Sequence, residues 1–181
     1  MREIETQRLR LRQLVPDDLD SYYRSIYADA EVMRFMPGGQ PQPRETAARF
    51  LERSLRHWDE QGFGPWGVML KQDGGLIGHC GLFYVEEVRE VEVMYALAQE
   101  HWGKGLATEG AKASLRFGFE QLGLPRIVAF VMPENTASVR VIEKLGMRFQ
   151  ENIQLWGLNL VAYFLERSAY QVDPSPYQVF P

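Results

Sequence analysis

The chain contains very few of the residues that build disulfides and metal sites. One cysteine, Cys80, and three histidines are spread over 181 residues. A single thiol cannot form a disulfide within the chain, and these four residues lack the spacing of zinc ligands. We therefore expect no metal site and a reducing compartment, the cytoplasm.

Long apolar segments are also missing. No run approaches the ~20 apolar residues that a membrane-spanning helix needs. The first residues, MREIETQRLRLRQL, lack the apolar centre of a signal peptide. These absences predict a protein that has no membrane partner.

The sequence has no excess of positive charge. Its 20 lysine and arginine residues are outnumbered by 24 aspartate and glutamate residues, so the net charge is −4. Proteins that bind nucleic acid generally carry a broad basic surface, and nucleic acid is therefore not an expected partner. An anionic ligand would have to be held by a local arrangement of groups.

What is present is the composition of a globular protein, with 45% hydrophobic and 24% charged residues. The length and the absence of a linker predict one domain over residues 1–170 and an extended tail over residues 171–181. Hydrophobic periodicity and turn residues give the element order β-α-α-β-β-β-α-β-α-β-β. This order predicts a mixed, mainly antiparallel α/β fold, with parallel pairing only at the central strand–helix–strand unit.

The central strand is predicted at residues 90–97, and the segment that follows it indicates an anion site. Gly103 and Gly105 allow close approach of a ligand to the backbone, and the helix that follows begins with unpaired N–H groups. A Walker loop is excluded, because Ala98 occupies the position of its first glycine, and Thr108 replaces the third glycine of a dinucleotide fingerprint. Taken alone, the two glycines could also simply shape a strand–helix turn.

The chain resembles the GNAT superfamily of N-acetyltransferases, and within it the branch of the ribosomal-protein N-terminal acetyltransferases. That family has a Gln/Arg-x-x-Gly-x-Gly/Ala turn after a central strand, and residues 102–107, WGKGLA, match its last four positions. Other segments that resemble the branch are ETQRLRLR at 5–12, DAEVMRFMP at 29–37, LIGHCGL at 76–82, NTAS at 135–138 and KLGM at 144–147. The resemblance covers about residues 5–167. It implies the GNAT fold, a mixed sheet of six to seven strands with about four flanking helices.

The resemblance implies that acetyl-CoA is the co-substrate and gives roles to individual residues. The central strand would pair with the pantetheine arm through Met94, Tyr95, Ala96 and Leu97. The turn would hold the pyrophosphate through the amides of Trp102, Gly103, Lys104, Gly105, Leu106, Ala107 and Thr108. Lys104 would add a point charge or face solvent. Asn135 would bond the pantetheine region, cap the next helix, or do both.

The catalytic groups are less well defined by the pattern. Glu92, which shares one side of the central strand with Glu90, is the candidate general base; Glu90 competes with it, and either can belong to a solvated face. Many family members carry a tyrosine acid where this chain has Ile142. Ser138 is therefore the candidate acid, unless the thiolate leaves through solvent.

The function implied by the resemblance is direct acetyl transfer to a primary amine through a ternary complex. The acceptor would be a protein or peptide N-terminus, a polyamine, an aminoglycoside or another small amine, and we expect its pocket within residues 36–66. The alternative is a non-catalytic acyl-CoA-binding regulator, because Ile142 cannot donate a proton. Either a monomer or a homodimer is compatible with the sequence.

Overall fold

The computed structural model describes residues 2–180 of the chain. Within them, one sheet contains the strands β1 (Glu3–Thr6), β2 (Leu9–Gln13), β3 (Pro65–Leu70), β4 (Leu76–Val85), β5 (Glu90–Leu97), β6 (Arg126–Val131), β7 (Arg148–Leu155), β8 (Leu158–Glu166) and β9 (Tyr177–Phe180). Their order across the sheet is β7-β8-β6-β5-β4-β3-β2-β1-β9. Every neighbouring pair is antiparallel except β5 and β6. The mixed, mainly antiparallel fold is thereby confirmed.

The described residues form nine strands, more than the six to seven that the resemblance implies. At the N-terminus the chain forms a hairpin, in which Ile4 pairs with Leu11, where we predicted one strand. The tail adds β9, which pairs with β1 at the edge of the sheet. Ahead of β9, Asp173 forms an ion pair with Lys112, which fixes the tail against a helix.

The helices are α1 (Leu19–Tyr22, continued by a π-helical turn, Tyr23–Tyr27), α2 (Ala30–Met33), α3 (Arg44–Gln61), α4 (Leu106–Arg116, continued by a π-helical turn, Phe117–Gln121) and α5 (Thr136–Lys144). Short 3₁₀ segments lie at Pro16–Asp18, Gln99–His101 and Arg167–Ala169. Searching residues 2–180 gives no helix that is both long and apolar enough to cross a membrane.

The helices pack on both faces of the sheet, as two neighbouring residues of β4 demonstrate. The Nδ1 atom of His79 lies 2.8 Å from the hydroxyl of Tyr22 in α1. Cys80 points the other way, with its sulfur 3.5 Å from the Ser114 hydroxyl in α4. Because adjacent strand residues face opposite sides, these two residues cannot form a catalytic cysteine–histidine pair.

The parallel pair β5 and β6 opens into a wedge. Over the described residues its register consists of one pair, Glu92 opposite Val128. Beyond this pair β5 continues to Leu97, and β4 is the one strand within residues 2–180 that pairs with this part of it. The wedge therefore exposes one edge of β5 next to Glu92 and leads along that strand toward the start of α4.

Candidate active site

Glu92 is a buried carboxyl group at the point where β5 and β6 separate. The residue is 9% exposed. Burial raises the pKa of Glu92 to about 8, although the backbone N–H of Phe130 and the charge of Arg53 act in the opposite direction. A carboxyl group with this pKa exchanges a proton near neutral pH, as a general base must do.

The competing carboxylate, Glu90, has a different environment at the start of β5. Its Oε1 atom lies 3.7 Å from Nε of Arg126, which also pairs with Glu166. Glu90 is thus part of a charged group that links β5, β6 and β8. This arrangement favours Glu92 as the candidate base.

The α3 side of Glu92 has an aromatic and cationic wall. Phe83 is the cross-strand partner of Glu92, and the guanidinium carbon of Arg53 lies 4.2 Å from the centre of the Phe83 ring. An open cavity of about 340 Å³ extends from this wall. It is lined by Arg53, Arg56, His57, Glu60, Gln61, Phe83, Tyr84, Glu86 and Glu87. Helix α3 lies within the expected acceptor segment, residues 36–66, whereas the contribution of residues 83–87 was not predicted.

His57 lines this cavity but is fully engaged with the backbone. Its Nδ1 atom is 2.6 Å from the carbonyl of Phe63, and its Nε2 atom accepts the N–H of Tyr84 at 2.9 Å. Because Nε2 accepts a hydrogen bond, the proton of the neutral ring belongs on Nδ1. Burial also lowers the pKa of His57. This histidine joins α3 to β4 and is not free to act as a base.

The opposite face of β5 presents a pair of hydroxyl groups. The Tyr95 hydroxyl lies 2.8 Å from Oγ of Ser138 in α5. Burial raises the pKa of Tyr95, so its hydroxyl keeps its proton at neutral pH. Ile142 is packed in the core at 1% exposure. The alternation of β5 already placed Tyr95 on the side away from Glu92, but no local signal indicated that its hydroxyl would meet Ser138.

Asn135 caps α5, one of the two roles expected for it. Its side-chain oxygen accepts the N–H of Ser138 at 3.1 Å. No side-chain N–H of Asn135 is bonded to another of residues 2–180. Those donors remain available to a ligand, so the capping role leaves room for the second.

The loop between β5 and α4 has the geometry of an anion cradle. Gly103 and Gly105 have φ values of 71° and 77°, which place both residues in the left-handed region. None of the six successive backbone N–H groups of residues 103–108 donates a hydrogen bond to an acceptor within residues 2–180. The next backbone N–H, that of Glu109, donates to the carbonyl of Gly105. Trp102 donates its indole N–H to the carbonyl of Leu97 at 2.7 Å, which fixes the loop to the end of β5.

Met94, Tyr95 and Ala96 lie on β5 between Glu92 and this loop. The predicted pantetheine and pyrophosphate residues therefore follow one another from the wedge to the start of α4. The backbone N–H of Trp102 differs from the other predicted pyrophosphate donors, because it already donates to the carbonyl of Gln99 at 3.0 Å. Lys104 is exposed at the loop, and Trp102 is 45% exposed beside it.

Residues 8–148 match the family described as acetyltransferase (GNAT) domain. Among curated proteins, the chain is 31% identical over 175 residues to the uncharacterized protein YkkB of Bacillus subtilis, covering 93% of this chain and 96% of that protein. It is 29% identical to the spermidine N(1)-acetyltransferase of Escherichia coli, covering 76% of this chain and 72% of that enzyme. An acetyltransferase structure from Agrobacterium tumefaciens has a TM-score of 0.80 and 27% identity, covering 91% of this chain and 94% of that one.

Proposed function

Because the chain belongs to the acetyltransferase (GNAT) family, we propose that it moves the acetyl group of acetyl-CoA directly to a primary amine. The observation that carries this proposal is the position of a buried carboxyl group, Glu92, at the closed end of the β5–β6 wedge. A cradle of amides that have no acceptor among residues 2–180 begins beyond the other end of the same strand. The two features suit the two ends of one extended thioester substrate.

The residues present fit the coenzyme portion of that substrate. Successive unpaired amides and the dipole of α4 suit a pyrophosphate without requiring net positive charge on the protein. The edge of β5 that β6 leaves unpaired, along Met94, Tyr95, Ala96 and Leu97, suits an extended amide-containing arm, with the Leu97 carbonyl already bonded to the Trp102 indole. Lys104 adds a point charge at the loop. Acetyl-CoA itself supplies the electrophilic thioester.

In this proposal Glu92 takes the proton of the acceptor amine, directly or through a water molecule. Its pKa of about 8 matches that of an α-amine, ~7.7–8.0, more closely than that of a lysine side chain, ~10.4. The base is therefore best suited to an α-amine or another amine of lowered pKa. Such an amine is already partly neutral at physiological pH.

Ser138 and Tyr95 together fill the role that Ile142 cannot fill. Their oxygens are 2.8 Å apart, and either can donate to the other. A proton passed from this pair to the sulfur of the departing thiolate completes the acetyl transfer. Glu92 then releases the proton it took from the amine, and the hydroxyl pair regains one from solvent. The hydroxyl pair therefore supports an enzyme rather than a regulator that binds acyl-CoA without turnover.

The cavity that is lined by Phe83, the cross-strand partner of Glu92, suits a small or peptide amine. It has two arginines and three glutamates on its walls, so it offers partners for both a cationic and an anionic group. The similarity to a spermidine acetyltransferase makes polyamines a first class of amine to test. Peptide N-termini are the second class, and aminoglycosides are the third.

The experiment is continuous detection of the free thiol released from acetyl-CoA in the presence of these amines. We expect amine-dependent release with the wild type and strongly reduced release with Glu92→Gln at equal affinity for acetyl-CoA. Binding without release across the panel would favour the regulator. A folded protein that does not bind acetyl-CoA would contradict both functions.

The cytoplasmic location of the protein and its state as a monomer or a homodimer stay predictions.

A further inference from the structure

The segment of residues 102–108, called here the candidate phosphate loop, is connected to the β1–β2 turn by one arginine. Arg8 donates from Nη1 to the carbonyl of Lys104 at 2.8 Å. From Nε it donates to Oε2 of Glu109 at 2.7 Å. One planar guanidinium thus joins the loop to the first turn of α4.

Glu109 is held in place by two further donors. Its Oε1 atom accepts the hydroxyl of Thr6 at 2.6 Å and the backbone N–H of Arg8 at 2.8 Å. The glutamate side chain is 14% exposed, and these bonds lower its pKa despite burial. The position of the guanidinium is therefore fixed by a carboxylate that is itself fully bonded.

The bond to Lys104 determines the direction of an amide in the cradle. The carbonyl of Lys104 and the N–H of Gly105 belong to the same planar trans peptide, so they point in opposite directions. When Arg8 holds the carbonyl, the N–H of Gly105 is turned away from Arg8. That N–H is one of the six amides without an acceptor among residues 2–180.

We propose that Arg8 is a positioning residue for the candidate phosphate loop, acting through the Lys104–Gly105 peptide. This inference rests on the proposed function, because the ligand is the pyrophosphate of acetyl-CoA. Arg8 contributes by geometry and not by net charge, since Glu109 balances the guanidinium. Lysine cannot reproduce the contribution, because its single nitrogen does not span two acceptors in a planar fork.

The test compares Arg8→Lys with the wild type on two thioesters. Acetyl-CoA contains the pyrophosphate, and S-acetylpantetheine lacks all phosphates but keeps the same arm and reacting group. We expect Arg8→Lys to lower kcat/KM for acetyl-CoA about 10-fold or more, mainly through KM, and to leave kcat/KM for S-acetylpantetheine unchanged. Calorimetric titration with coenzyme A should give the same loss of affinity without any need for turnover.

The matched control is Arg10→Lys. Arg10 lies two residues along the chain, and its Nη2 atom is 2.7 Å from a carboxylate oxygen of Glu3, in an ion pair between β2 and β1. We expect no change on either thioester. Glu109→Gln, which keeps an oxygen acceptor for Thr6 but removes the charge that anchors Arg8, serves if Arg8→Lys does not fold. It should lower coenzyme A affinity in the same direction.

Each remaining result is decisive. Wild-type affinity in Arg8→Lys would show that charge alone suffices and would overturn the inference. Equal losses on both thioesters would mean that Arg8 supports the fold in general, and would also overturn it. A wild-type protein without affinity for coenzyme A would instead contradict the proposed function.

Discussion

The pKa of Glu92 leads to a prediction about how activity depends on pH. With a value of about 8, roughly a tenth of the carboxyl groups are ionised at pH 7 and about nine tenths at pH 9. If Glu92 is the base, kcat/KM should rise about 10-fold over this interval. A carboxyl group with an ordinary pKa of 4.5 would already be ionised throughout, and its activity would not change.

The acceptor amine titrates in the same range, so the comparison must remove its contribution. Wild type and Glu92→Gln are measured with one amine at each pH, and the ratio of their kcat/KM values is plotted. The ratio should be about 10² or more at high pH and should fall as the pH is lowered through an apparent pKa near 8. A ratio that is independent of pH would refute the assignment of Glu92 as the base.

The same ionisation should be visible in stability. Between pH 4.5 and about 8, the folded state holds a proton on Glu92 that the unfolded state has released. The contribution of Glu92 to the free energy of unfolding is therefore complete below pH 4.5. It is lost as the pH rises toward 8, by about 1.4 kcal/mol per pH unit. The difference in unfolding free energy between the wild type and Glu92→Gln, from urea titrations, should follow this slope. If the unfolding free energies of the two proteins differed by the same amount at every pH, the carboxyl group would not be desolvated.

Five substitutions, one of them a control, test other parts of the candidate site and its scaffold. Gly78→Ala should destabilise the protein by roughly 2 kcal/mol or more in urea titrations, because a Cβ atom would lie 2.1 Å from a carbonyl oxygen of β5. Tyr95→Phe should lower kcat about 10²-fold with unchanged KM for acetyl-CoA, and Ser138→Ala should also lower kcat. Wild-type rates in both variants would remove the hydroxyl pair from the mechanism. Gly105→Val should weaken coenzyme A binding in calorimetry. Gly146→Val is the control, because Gly146 has a φ of 76°, close to the 77° of Gly105. It should reproduce the backbone strain without the loss of affinity.

Local patterns were sufficient to predict the strand and the turn on which the candidate site is built. The alternation of residues 90–97 indicated a strand with Glu92 and Tyr95 on opposite faces, and the strand is present as β5. Glycines followed by a helical pattern predicted the turn into α4. Both signals lie within a few residues, where side-chain period and backbone freedom determine the conformation.

Contacts between distant segments could not be predicted in this way. Arg8 and Glu109 are 101 residues apart, and Tyr95 and Ser138 are 43 apart. The pairing of β9 with β1 joins the two ends of the chain. Such contacts depend on how the whole sheet is ordered, which single segments do not encode.

The shortage of positive charge becomes understandable at the candidate phosphate loop. Arg8 bonds to the backbone of this loop, and its charge is balanced by Glu109. What remains for an anion is a set of amides whose direction is fixed by side chains around them, together with Lys104 at the surface. Binding that relies on oriented amides depends less on ionic strength than binding that relies on exposed cations, because salt screens charges in water more than groups in contact. A net charge of −4 is therefore compatible with a polyanionic substrate.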